Sequence, residues 1–336
     1  MTSAPTPALA LTHRRDAMMF REPFRISGYL FESMPAVIAT VSDGTFTGRG
    51  EAAGVYYLGD DPDHIERELE RCRAAVEAGV DREALRTLLP PGGARNALDC
   101  ALWELESLRA GVPVWQLAGI ETPQPRITTF TLPADDPAEI LRRLSGFPTL
   151  TALKLKLDGD LAADSERVRS VRKARPDVWL GVDANQGYGA GDLDALAAML
   201  VAETVSLLEQ PVPRGAEALL DGWRSPVPVA ADESILDLTE LEARHHLFQV
   251  LNIKLDKCGG LTEALMMVTR ARQLGLKVMV GNMAGATLSA APAFILAQLC
   301  DIVDLDGPWF VADDPLAESL YDDGKIMVPA RLWGAG

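Results

Sequence analysis

Five charged residues punctuate the middle of the chain at nearly constant spacing, each at the end of a short apolar run. They are Lys156 in LKLKL, Asp183 in WLGVDA, Glu209 in VSLLE, Asp232 in VPVAAD and Lys254 in VLNIKLD. Successive members lie 27, 26, 23 and 22 residues apart. That is about the length of one strand–helix unit, and units of this size in series predict a parallel β/α barrel. Chemistry in such barrels gathers at the C-terminal ends of the strands. The order Lys, Asp, Glu, Asp, Lys therefore describes a single pocket, with three carboxylates for a hard cation and a lysine on each side.

The rest of the chain fits around that pocket. Candidate barrel strands are 126–132, 153–157, 179–184, 205–209, 227–232, 250–256, 277–282 and 301–306, with helical patterns between them. Upstream, residues 1–7 are rich in Pro, Ser and Thr and are expected to be loose. AVIATV (36–41), a turn at Ser42-Asp43-Gly44 and TFTGRGEA (45–52) predict a hairpin. Three helices are expected next: from Asp61-Pro62, over 81–89 and over 94–111, the last with an apolar stripe at 98, 101, 102, 105 and 108 and a stop at Gly111. Strands followed by helices without alternation predict a small α+β domain. The organisation read from the sequence is an α/β protein. An α+β capping domain over 1–122 is completed by the tail 311–336, and a (β/α)7β barrel spans 123–310.

Composition narrows the partners. The formal net charge of −16 opposes binding to nucleic acid or to an anionic membrane. Cys72, Cys100, Cys258 and Cys300 form no CxxC pair, so neither a zinc site nor a disulfide framework is expected, and a reducing cytoplasm is the default. No signal peptide and no membrane-spanning run is read. The partner expected is a small molecule, and a homo-oligomer is allowed.

Three carboxylates in register on consecutive strands, with no His or Cys beside them, favour one Mg²⁺ per subunit, held by Asp183, Glu209 and Asp232. Lys156 and Lys254 fall on the second and sixth strands and face each other across the barrel. A lysine serves as a base only if burial or a neighbouring cation lowers its pKa, and Lys154, on the same side of its strand as Lys156, supplies that neighbour. A substrate carboxylate on the metal, with the ene-diolate stabilised there and a base on either face, predicts proton exchange at an α-carbon. Asn185 and Asn252 are expected to support the metal or the lysines. His13, His64, His245 and His246 lie outside the predicted strand ends and are read as structural or surface residues.

These motifs resemble the enolase superfamily in its muconate-lactonising-enzyme-like subgroup. The match comprises K-x-K at Lys154/Lys156, D-A-N at Asp183–Asn185, E-Q-P at Glu209–Pro211, A-D-E-S at Ala231–Ser234 and N-I-K-x-D-K-x-G-G at Asn252–Gly260. ARNALDCALWEL in the N-terminal region strengthens it, and the resemblance covers nearly all of 15–330. A lysine base with Mg²⁺ is a known pattern of that superfamily, so the base assignment does not stand on this chain alone. The resemblance implies a racemase or epimerase. Asp304-Leu305-Asp306 is similar to the D-x-D with which dipeptide epimerases hold the substrate's α-ammonium group. An L-Ala-X dipeptide epimerase is therefore the first expectation. The alternatives are an N-acylamino acid racemase, an o-succinylbenzoate synthase or cycloisomerase and, more remotely, a non-catalytic metal-binding relative. Members acting on Ala-Glu usually carry a capping-loop arginine for the substrate's side-chain carboxylate, and here only Arg25 is basic in Arg25–Phe31. Tyr29, Phe31, Tyr56 and Tyr57 are the candidate lid contacts, and they fit an apolar second side chain.

Overall fold

The computed structural model describes residues 9–26, 29–146 and 149–336, with Ile26 and Tyr29 described by backbone only. The expectation for residues 1–7 lies outside these. Five strands come first: β1 (Ala10–Asp16), β2 (Met19–Ile26), β3 (Tyr29–Ser33), β4 (Ala36–Ser42) and β5 (Thr47–Ala52). β1, β4 and β5 form an antiparallel sheet, and β2 pairs with β3. The β4–β5 turn is longer than expected, because the Asp43 carboxylate accepts the N–H groups of Thr45 and Phe46 and delays the second strand to Thr47.

Helices α1 (Pro62–Glu77) and α2 (Arg82–Leu88) follow, capped by Asp61 and Asp81. Each cap carboxylate accepts a first-turn N–H. α1 buries Ile65, Leu69, Cys72 and Val76, one stripe at helical spacing. α3 (Gly93–Ala110) ends at Gly111, whose φ of 63° is the left-handed conformation expected of a glycine stop. Its apolar stripe faces β5. A Cβ on Gly48 or Gly50 would lie 2.0 or 2.1 Å from the carbonyl oxygens of Ala101 or Ala97, so glycine there lets helix and strand touch. The opposite, polar face is buried as well, because it meets the barrel. Stripe reasoning does not foresee this. Asp99 accepts the N–H of Thr262 at 3.0 Å, and Arg95 donates to the Cys258 carbonyl.

After the short α4 (Val114–Leu117) and β6 (Arg126–Ile127) the chain alternates as expected: β7 (Phe130–Leu132), α5 (Pro137–Ser145), β8 (Ala152–Lys156), α6 (Leu161–Ala174), β9 (Trp179–Asp183), α7 (Leu193–Ala202) and β10 (Leu207–Glu209). A 3₁₀ turn over Glu217–Leu220 leads to β11 (Val229–Ala231), α8 (Leu238–Arg244), β12 (Val250–Lys254), α9 (Leu255–Cys258), α10 (Leu261–Gln273), β13 (Lys277–Gly281), α11 (Thr287–Ala297) and β14 (Ile302–Asp304). β7 to β14 form one parallel sheet in chain order, joined by seven helical connections. Thr129 N–H donates to the Val303 carbonyl at 2.9 Å and brings the two ends of the sheet together. The chain leaves through α12 (Gly307–Phe310). Its tail forms β15 (Tyr321–Asp322) and β16 (Lys325–Ile326), which pairs with β6. The Trp333 indole then donates to the Arg49 carbonyl at 3.0 Å.

Register and strand parity fill the barrel in layers. Leu207, Ala230, Val250 and Met279 pack together as an apolar plug low inside it. Two positions up β10 and β11, and four up β12, the inward residue is polar: Glu209, Asp232 and Lys254. Lys156, Asp183 and Glu209 are successive register partners. Lys254, Gly281 and Asp304 form a second such row.

Candidate active site

The polar layer opens into a cleft between the strand ends and the first strands of the chain, with about 760 Å³ of empty space up to its mouth. The cleft is lined by Lys154, Lys156, Asn185, Asp232, Glu233, Lys254, Asp304 and Asp306 below, and by aromatic and methionine side chains above.

Asp183, Glu209 and Asp232 are buried, and one carboxylate oxygen from each lies within 4.8 Å of the others. The chain turns sharply after two of these carboxylates. Asn185, Gln186 and Gln210 all have φ between 39° and 67°, a strained conformation that clusters at functional sites. The Asn185 N–H donates to Asp183 at 2.9 Å. The Asn252 amide donates to Glu209 at 2.6 Å, so Asn252 supports a triad carboxylate directly. Gln210 accepts the N–H groups of Asp232 and Ser234 at 3.0 and 3.1 Å and thereby sets the end of β11.

Each lysine holds a carboxylate. Lys156 Nζ lies 2.5 Å from Asp183, and Lys254 Nζ lies 2.6 Å from Asp232. Lys154 pairs with Asp304 and stands 3.4 Å from Glu209. Burial works to lower the Lys154 pKa, but Asp304, Glu209 and Asp183 outweigh it and hold the ammonium well above its ordinary range. Lys254 behaves likewise beside Asp232, Glu209 and Glu233. Burial and the neighbouring Asp183 push Glu209 up to about 7. Asp232 is drawn far down by Lys254 and Lys257 against the opposing effect of burial.

The donor set fits a divalent cation. Glu209 Oε2 is buried with no hydrogen-bond partner. An all-oxygen cluster of three buried carboxylates suits Mg²⁺.

The two aspartates after β14 are not equivalent. Asp304 accepts from Lys154 and from the Thr129 hydroxyl. Asp306 accepts the Thr131 N–H at 2.6 Å through one oxygen and has no cation partner among the described residues. Burial and Asp304 raise its pKa to about 6. Of the lid candidates, Phe31, Tyr56 and Tyr57 meet in the roof, with centroids 5.2 and 5.3 Å apart in edge contacts. The Tyr29 side chain lies outside the described residues. None of the four histidines lines the cleft.

Sequence reasoning missed three features. Lys257 is buried and donates to the Asp232 carboxylate, and its place in N-I-K-x-D-K was the available signal. Glu233 lines the cleft with a buried, unpartnered Oε2. Phe20, Phe24 and Phe310 form a second aromatic wall, and neither spacing nor charge pointed to it. Gly259-Gly260 has a plain cause. Both adopt positive φ, and a Cβ on either would strike Arg95 or Asp99 of α3 at 2.1 or 2.5 Å, so the pair seats α3 on the barrel.

Fold and site together define a barrel of the enolase type with a capping domain. Residues 9–119 match the mandelate racemase/muconate lactonizing enzyme N-terminal domain, and 138–336 match the enolase C-terminal domain-like family. The chain belongs to that family. It is 35% identical over 313 residues to the L-Ala-D/L-Glu epimerase of Escherichia coli K12, covering 93% of this chain and 97% of that one. It is 33% identical over 302 residues to an N-acetyl-D-glutamate racemase of Pseudoalteromonas, covering 89% and 95%. An Agrobacterium tumefaciens enolase family member, solved with sodium and L-Ala-L-Glu, superposes with a TM-score of 0.92 at 33% identity over 97% of this chain and all of that one. The Methylococcus capsulatus dipeptide epimerase, solved with Mg and L-Arg-D-Lys, superposes at 0.87 and 27% identity over 96% and 97%.

Proposed function

We propose that the protein is a Mg²⁺-dependent dipeptide epimerase that exchanges the α-proton of the C-terminal residue. The observation that carries this reading is the placement of two buried lysines, four strands apart in an eight-stranded barrel, on either side of a buried three-carboxylate cluster. Residues 1–122 with 311–336 serve as the cap, and 123–310 as the catalytic barrel. The small-molecule substrate is met in the cytoplasm. The four cysteines are free and buried, in keeping with a reducing compartment, and no helix is long and apolar enough to cross a membrane.

Asp183, Glu209 and Asp232 hold the metal, with Asn252 orienting Glu209 and Lys257 orienting Asp232. Bound there, Mg²⁺ supplies positive charge for the substrate carboxylate and for the charge that develops as the proton leaves. Lys156 takes the α-proton on one face and Lys254 returns one on the other, or the reverse. Only the lysine that takes the proton must first be neutral, which requires its carboxylate partner to be engaged elsewhere, while the opposite lysine stays protonated and gives its proton to the other face. Lys154, tied to Asp304, places a fixed positive charge behind Lys156. Asp306 receives the N-terminal ammonium through its remaining capacity, with Asp304 beside it.

Racemisation of an N-acylated amino acid is the rival on the same proton chemistry, and the Pseudoalteromonas relative bears such a name. Asp306 favours the dipeptide, because an N-acyl substrate leaves a buried carboxylate uncompensated. The test is incubation with Mg²⁺ in D₂O with L-Ala-L-X dipeptides and, in parallel, N-acetylated amino acids. Gain of one deuterium on X, lost when metal is chelated, is the expected result. Exchange confined to the N-acyl substrates would replace this reading with its rival.

A further inference from the structure

Two separate groups of aromatic side chains line the cleft. Phe310 lies in α12, which begins directly after Asp306, and packs edge-on against Phe24 at 5.0 Å, with Phe20 6.5 Å further along. Phe31, Tyr56 and Tyr57 form the other wall. Tyr57 stands near Asp232 and Glu233, which with burial hold its phenol well above the ordinary range. All six residues line the one cleft.

The charged groups fix the substrate's direction. With the ammonium on Asp306 and the α-carbon between Lys156 and Lys254, the first side chain springs from the carbon that bears the ammonium, beside Phe24 and Phe310. The second springs from the reacting carbon, toward Tyr56 and Tyr57. Among the described residues, no basic side chain lies in either aromatic group. Lys154, Lys156, Lys254 and Lys257 are each paired with a carboxylate. Arg25, the only basic residue between Glu22 and Met34, lies 3.6 Å from Asp135 and does not line the cleft. A side-chain carboxylate on the substrate would therefore enter without a cation partner.

Building on the epimerase reading, we propose that the substrates are dipeptides apolar at both positions, with Phe24 and Phe310 selecting the first side chain and Phe31, Tyr56 and Tyr57 the second. The test measures kcat/KM by deuterium incorporation for L-Ala-L-Ala, L-Ala-L-Leu, L-Ala-L-Glu, L-Ala-L-Lys and L-Leu-L-Ala with Mg²⁺. L-Ala-L-Leu should exceed L-Ala-L-Glu and L-Ala-L-Lys by about tenfold or more, and L-Leu-L-Ala should exceed L-Ala-L-Ala. Phe310→Ala should erase the second advantage but keep the preference for Leu over Glu, and Phe31→Ala should do the reverse. Preference for Glu or Lys, or equal loss of both advantages in both variants, would overturn the two-wall assignment and leave the epimerase standing. Absence of exchange on every dipeptide would instead remove the epimerase reading beneath it.

Discussion

The floor and the roof of the cleft are built on opposite principles. The floor is made of strand ends held in register by backbone hydrogen bonds, and each of its four lysines is paired with a carboxylate. The roof is made of rings carried on a hairpin and a 3₁₀ turn, meeting edge to edge. Charges in a barrel have to be placed within fractions of an ångström to offset their desolvation, so the floor tolerates little change. Ring contacts are broad and interchangeable, so the roof can vary while the reaction stays the same.

The largest expected effect breaks the floor. Lys156→Ala and Lys254→Ala should each lower epimerisation by about 10²–10⁴-fold, the usual contribution of a positioned acid or base. They should differ in what survives. Each variant should still exchange the α-proton of one stereoisomer into D₂O, and the two variants should favour opposite stereoisomers. If both lose all exchange while still binding Mg²⁺, as read by calorimetry, the lysines do not act as a pair of opposed bases.

A smaller effect belongs to the rim where floor meets roof. Asp306→Asn keeps an acceptor for the Thr131 N–H but removes the charge offered to an ammonium. A charged hydrogen bond contributes about 1.5–3 kcal/mol, so kcat/KM for dipeptides should fall about 10–100-fold, mostly through KM. Turnover of an N-acetylated amino acid should fall much less. Equal losses on both substrates would mean that Asp306 supports the barrel closure rather than the ligand.

The contrast between floor and roof also explains what the sequence could show. Lys156, Asp183, Glu209, Asp232 and Lys254 were legible because a parallel barrel repeats, and a regular repeat turns chain spacing into spatial position. Glu233 and Lys257 stood inside the same motifs but were given no role, since no period says which of several nearby charges faces inward. Phe20, Phe24 and Phe310 were not legible at all. Their contact joins residues nearly 300 positions apart, and an aromatic residue in a strand carries no mark of the surface it will meet. The buried polar face of α3 was hidden for a related reason. Arg95 and Asp99 look like solvent-facing residues until the barrel is laid against them.

The smallest effect tests the roof from behind. Asp256 sits under the segment that leads to Tyr56 and Tyr57 and accepts the Gly54 N–H at 2.9 Å. Burial raises its pKa to about 7, with the Gly54 N–H opposing and Asp60 adding to the rise, and Glu51 is raised to about 7 by burial. The folded state thus binds these protons more tightly than the unfolded chain does. Their stabilising contribution is complete below the ordinary carboxylate range and is lost as the pH rises toward about 7. Asp256→Asn preserves an acceptor for Gly54 and removes one such titration. Its melting temperature should therefore fall less than that of the parent between about pH 4 and 7, and it should be higher at pH 8 by about 1–2 °C for each kcal/mol recovered. The epimerisation rate constant kcat should stay within about threefold, because the floor is untouched. A variant that melts with the parent's pH slope would show that Asp256 is already ionised in the fold, and that the roof is held by its charge rather than by a protonated carboxyl.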